Sequence, residues 1–164
     1  MFDLIKLLFD ICLFKKAPQD LPCSVSLLKT IAIANLLTNF LLSSISINWL
    51  FAALKAIIGV LLISGFSWFS LSFSQKSARF YQTTAALLGT DTLIRVFALP
   101  VIATMSIGQG GLLVLLVMIA LIIWYWVIAG HILRNALEQS VGFSLGLAFL
   151  YLLLLSQITA LLIG

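Results

Sequence analysis

Apolar residues run almost unbroken through five stretches of the chain, about 25–47, 49–73, 81–105, 111–130 and 141–163, and polar residues collect between them. Each stretch is long enough, at about 1.5 Å per helical residue, to cross a hydrocarbon core about 30 Å thick. Lipid offers the backbone no hydrogen-bond partner, so such stretches must be helices that satisfy their own amides. The pattern therefore predicts an all-α fold, a polytopic transmembrane helix bundle of five spans. A different pattern precedes it. Between Phe2 and Phe14, Asp3, Lys6 and Asp10 fall at helical spacing on a narrow polar stripe, with Phe2, Ile5, Leu8, Phe9 and Leu13 around the rest. That spacing predicts a short amphipathic interfacial helix lying along the bilayer surface. The stretch KKAPQDLP breaks it at Pro18 and Pro22, and Asp20 is placed to cap the helix that follows. The expected division is an interfacial segment over residues 1–23 and a five-helix transmembrane domain over 24–164.

Composition agrees with the pattern. Of 164 residues, 63% are hydrophobic and 9% charged, against roughly a quarter charged in soluble domains, and the mean hydropathy is +1.23. The net charge of +4 is spread singly beside the spans instead of forming a basic surface, so it reports orientation and not a nucleic-acid partner. The connections SSISIN and SIGQGG are uncharged, whereas SQKSARF carries Lys76 and Arg79 and HILRNALEQS carries His131, Arg134 and Glu138. By the positive-inside rule both charged connections are cytoplasmic, together with the N-terminal segment and its Lys6, Lys15, Lys16 and Lys29. That assignment alternates correctly over five spans and places the C-terminus outside. Trp49 and Phe51 then fall at the outer boundary, and Trp68, Phe80, Tyr81, Trp124 and Trp126 at or approaching the inner one. The N-terminal segment lacks the layout of a cleavable signal and is expected to be retained. Cys12 and Cys23 are expected to be reduced thiols.

Charge also occurs inside the spans. Asp91 lies nine residues beyond Gln82, which puts it ~14 Å deep, near the midplane. Arg95 follows one turn later, in the favourable acid-then-base order for a helical ion pair. Lys55 is six residues in from Trp49, ~9 Å below the outer boundary and at a depth similar to Arg95. Each isolated charge near a span centre costs roughly 2.5 to 3.5 kcal/mol, so the economical arrangement is a cluster of Lys55, Asp91 and Arg95, to which Thr84 on the same face could add a hydroxyl. Pro100 should kink the third span or end its regular part. Such a cluster could fix helix register. Alternatively its net positive charge could hold an anion or a lipid headgroup.

Small residues mark helix faces. Ser64, Ser67, Ser70 and Ser74 share one side of the second span, and Gly142 and Gly146 stand four apart on the fifth. Small side chains let backbones approach in lipid, so tight helix packing is expected of Ser64, Ser67, Gly142 and Gly146, with self-association through the glycines or a polar track along the serines as the alternatives. Chemistry is poorly supplied. His131 is the only histidine, expected on a surface loop, so neither a metal site nor any other cofactor is expected. Intramembrane aspartyl chemistry needs a second carboxylate beside Asp91, and neither a nucleophile elbow nor a phosphate-binding loop is present. A non-enzymatic protein is expected.

FYQTTAALLGTDTLIRVFALPV, entering the third span, and WYWVIAGHILRNALEQSVGFSLGLAFL, crossing from the fourth to the fifth, resemble the Yip1-like membrane proteins, particularly small bacterial members. The similarity covers roughly residues 20–163 and rests on span number and texture. Of the Asp-Leu-Tyr-Gly-Pro-like stretch of eukaryotic members, this chain keeps Asp20, Leu21 and a shifted proline, and Thr90 follows Gly89 where the family tends to have Gly-Tyr. The resemblance implies a five-span bundle with a cytoplasmic N-terminus and partner binding in membrane organisation, and it transfers no site residue. The combined expectation is an accessory, assembly or membrane-organising protein of a bacterial inner membrane. Its partners would be membrane lipids and another membrane protein or itself. The alternative is a small transporter or lipid- or anion-binding protein that uses Lys55, Asp91 and Arg95.

Overall fold

The computed structural model describes residues 2–108 and 111–163. Helix α1 (Phe2–Cys12) precedes five long helices, α2 (Val25–Ser44), α3 (Trp49–Phe73), α4 (Phe80–Ser106), α5 (Leu112–Leu137) and α6 (Val141–Ile163). All five are long and apolar enough to span a bilayer, and the protein is an all-α, five-span membrane helix bundle with a short helix ahead of the spans.

Side chains set several of the boundaries. Ser24 accepts a hydrogen bond from Leu27 N at 3.4 Å and starts α2, and Asn48 accepts from Leu50 N at 3.1 Å and starts α3. Asp20 does not cap α2. Its carboxylate accepts from Ala17 N at 2.8 Å and closes a single 3-10 turn, Pro18–Asp20, four residues too early for that role. Pro100 does not end α4, which continues through it to Ser106. Helix α5 runs seven residues past Gly130, so His131 and Arg134 are helical and not in a loop. The reason is amphipathic: Ile132, Leu133, Ala136 and Leu137 are buried along one side, while His131, Arg134 and Asn135 occupy the other.

Helix α4 is the centre of the bundle. It packs against α2, α3 and α5, α6 joins through α5 and α3, and α1 lies across α4 and α5. Packing is uneven along the bundle. Thr83 to Asp91 of α4 are all buried, as are much of α5 beyond Tyr125 and Ser144, Ala148 and Tyr151 of α6. Toward the opposite end burial in α4, α5 and α6 falls away to Ile94 and Val101. Apolar side chains gain little by leaving lipid, so association here rests on close fit. Two glycines supply it. At Gly89 a Cβ would lie 2.6 Å from the Leu8 side chain, and at Gly130 another would lie 2.6 Å from that of Leu145. Gly142 and Gly146 meet nothing within 4 Å and stand on an exposed face of α6. Ser144 and Ala148, offset by half a turn, are the residues that face inward. On α3, Ser67 and Ser70 are buried and Ser64 is half-buried.

At the end where residues 13–24 meet the connections 74–79 and 138–140, called the basic end here, side chains cap the last turn of α5. Lys76 Nζ donates to Leu137 O at 3.1 Å, Arg79 Nη1 to Asn135 O and Ala136 O at 3.3 Å, and Gln19 Nε2 to Asn135 O at 2.7 Å. Cations at a helix C-terminus satisfy orphan carbonyls and oppose the helix dipole. Glu138, in the left-handed conformation at φ 54°, completes the clasp by pairing with both Lys76 and Arg79. Hydrogen bonds from Lys76 and Arg79 hold its carboxyl below the usual carboxylate range.

Two outcomes follow from this packing. Burial pushes the Cys12 thiol up to about 11, and only a thiolate alkylates rapidly, so Cys12 should react slowly beside exposed Cys23. Gly89→Ala should be tolerated because the methyls of Leu8 can swing aside, whereas Gly89→Leu should undock α1 and sharply accelerate Cys12 alkylation, read by mass spectrometry. For Glu138 the folded-state pKa is depressed, so its contribution to stability is complete above the ordinary carboxylate range and is lost as pH falls through the folded-state value. The difference in melting temperature between wild type and Glu138→Gln should therefore be full near neutrality and vanish in acid.

Candidate functional site

Asp91 sits ~16 Å along α4 from Phe80 and is 3% exposed. Asn35 comes ~15 Å along the neighbouring α2, so the two meet at one level. Asn35 Nδ2 donates to Asp91 Oδ2 at 2.8 Å and lies 3.0 Å from both Leu88 O and Thr92 Oγ1. Asn39, one turn along α2, donates to Asn35 Oδ1 at 3.1 Å. Arg95 Nε donates to the same Asp91 Oδ2 at 2.7 Å, closing an i,i+4 ion pair. A buried carboxylate is costly unless paired and hydrogen-bonded, and here it is both.

The three charges are therefore arranged unequally. Asp91 and Arg95 are in contact. Lys55 lines the same cleft as both and makes no ion pair among the described residues. Thr84 is fully buried, but among the described residues its hydroxyl has no hydrogen-bond partner, nor have those of Ser67, Ser70, Thr83 and Ser144. Asn35, itself bonded to Thr92, stands beside Asp91 where Thr84 was expected. Asn35 and Asn39 carry no role in the sequence reading, although a signal exists: two carboxamides one helical turn apart inside an apolar span require polar partners.

Where α3, α4, α5 and α6 part toward the end opposite the basic one, called the neutral end, they leave a cleft of about 420 Å³. Its polar wall is Lys55, Asp91, Arg95, Tyr125, Ser156 and Thr159, and its apolar walls include Val101, Ile102, Met118, Leu121 and Leu152. Tyr125 and Tyr151 share a hydrogen bond of 2.8 Å between their hydroxyls, so one O–H remains undonated within that pair. A smaller void of about 30 Å³ joins Lys55 and Arg95 to Asn39 and Thr159.

Hydrogen-bonding capacity in the cleft is strongly biased. The ammonium of Lys55 and both terminal nitrogens of Arg95 donate to no protein group among the described residues. Asp91 Oδ1 is the carboxylate oxygen left over, since Oδ2 takes both bonds made to that carboxylate. Surplus donors, two cations and one carboxylate favour an acceptor-rich anion. The apolar walls favour one that carries a hydrocarbon portion. Among the described residues no group of three His, Cys, Asp or Glu could hold a metal ion.

The ion pair and the free cation should respond differently to mutation. Asp91→Asn leaves Arg95 without its counter-charge and is expected to lower unfolding stability by about 2 kcal/mol, less than for a fully enclosed pair because Arg95 is 28% exposed. Lys55→Ala removes no protein contact of that kind and should leave the unfolding transition in detergent nearly unchanged.

Comparison of the chain with protein-family models, with curated proteins and with solved structures finds no match.

Proposed function

We propose that the protein binds an anionic amphiphile within the membrane, its head at Lys55 and Arg95 and its hydrocarbon portion along the cleft formed by α3 to α6. The observation that carries this reading is the pairing of an apolar cleft of about 420 Å³ with cationic donors that the protein leaves unused. Asp91 in this scheme positions Arg95: by taking its Nε at 2.7 Å it turns the guanidinium so that the terminal nitrogens remain for a ligand. Pairing also lowers the cost of keeping a cation at this depth. The positive-inside argument places the basic end in the cytoplasm and opens the cleft toward the outer leaflet, in keeping with a bacterial inner membrane.

A second reading, an accessory or assembly factor of a membrane complex, draws support from the exposed face of α6 around Gly142 and Gly146, where another helix could approach closely. The Yip1-like resemblance belongs with this reading, since it rests on span texture and partner binding and not on a pocket.

One experiment separates the two. The protein is extracted gently from native membranes and the particle is weighed by native mass spectrometry. A particle of this chain alone that carries an anionic amphiphile, with retention about five-fold lower in Lys55→Ala, is the expected result. A stoichiometric second protein with no retained amphiphile would overturn the binding reading in favour of the accessory one.

A further inference from the structure

A second pocket, of about 150 Å³, lies at the basic end on a face of α5 away from the cleft. Val127, Val141 and Leu145 form an apolar trough between α5 and α6, Phe14 covers it from the N-terminal segment, and His131 and Arg134 supply its polar wall. The N-terminal segment is held there by specific bonds. His131 Nε2 donates to Lys16 O at 3.0 Å, and the His131 ring meets Phe14 edge-on at 5.3 Å. Phe14 adopts φ 61°, a left-handed conformation that costs a non-glycine residue of order 1–2 kcal/mol. That turn is what places its ring over the histidine.

Arg134 has no hydrogen-bond or ion-pair partner for its guanidinium among the described residues. The nearby acid in sequence, Glu138, is committed to Lys76 and Arg79. No carboxylate lines the pocket, and Lys15 and Lys16 are exposed on the adjoining segment. Arg134 stands three residues from the end of α5, ~5 Å along the helix, the level at which a headgroup meets the hydrocarbon. The volume suits a phosphodiester and excludes acyl chains, which would leave the trough along α5 and α6 into the bilayer.

We infer that this pocket binds the phosphate of an anionic glycerophospholipid from the leaflet at the basic end, held by Arg134, with its chains passing out of the trough along α5 and α6. Basic pockets between helices near the membrane surface recognise such headgroups through charge and hydrogen bonding. The bound lipid joins three parts of the chain, the 13–16 turn, the end of α5 and the start of α6. It would act as a structural ligand distinct from whatever occupies the cleft.

The test uses the full chain in nanodiscs of equal phosphatidylglycerol and phosphatidylcholine, released into a native mass spectrometer. Wild type should retain phosphatidylglycerol in preference to phosphatidylcholine. Arg134→Ala should retain about five-fold less, and so should Val141→Trp, which keeps every charge and fills the trough. Undiminished retention in Arg134→Ala would assign the lipid to another surface, the cleft included, and sink this site. Equal retention of both lipids by wild type, or undiminished retention by Val141→Trp, would also overturn it. Helicity and melting in pure phosphatidylcholine identify any variant that has lost its fold. Should Arg134→Ala do so, the comparison of wild type with Val141→Trp decides.

Discussion

The carboxylate of Asp91 is the constraint on which the bundle is arranged. A short acidic side chain near the middle of a span can neither reach water nor remain unpaired without large cost. Its oxygen Oδ2 accepts from Asn35 on α2 and Arg95 on α4, so α2 and α4 must meet at that level in one register. Asn39 extends the same polar line by a turn. In a medium where apolar contacts barely distinguish one pairing from another, a hydrogen-bonded buried ion is an effective way to specify helix partners.

The bundle is divided at that level. Toward the basic end the helices close around small and medium side chains, with Gly89 admitting Leu8 and Gly130 admitting Leu145. The N-terminal segment is stitched to the bundle by Trp124 Nε1 donating to Cys12 O at 3.2 Å and Gln82 Nε2 donating to Leu21 O at 2.7 Å. Toward the neutral end α3 to α6 separate and the cleft opens. The Asp91–Arg95 pair lies at the boundary, where it serves the closed half as a registry bond and lines the cleft of the open half. One charge pair can thus be structural and still present unused donors to a ligand.

The two pockets differ in the way their cations are held. In the cleft Arg95 is oriented by Asp91, and Lys55 comes from the facing helix without an acid of its own among the described residues. At the basic end Lys76 and Arg79 are absorbed by helix carbonyls and Glu138, which leaves Arg134 unneutralised. Basic residues that look alike in the chain therefore divide into those that hold the protein together and those that remain available. The division depends on which carbonyls and acids the fold brings within reach.

The sequence by itself determined the architecture: hydrophobic runs long enough to cross a bilayer, separated by short polar and charged connections, leave the backbone no choice but five helices. It also determined that Asp91 must be paired, since Arg95 lies one turn away on the same helix. Several matters were decided only in three dimensions. Asn35 as the second partner of Asp91, Gly89 and Gly130 in place of Gly142 and Gly146 as points of close approach, and the continuation of α5 through His131 all depend on which faces meet. Those faces carry no strong periodic signal, because in lipid the outside of a helix is as apolar as the inside. The order of spans is written in hydropathy, whereas their mutual rotation is set by a few polar bonds and by side-chain volume.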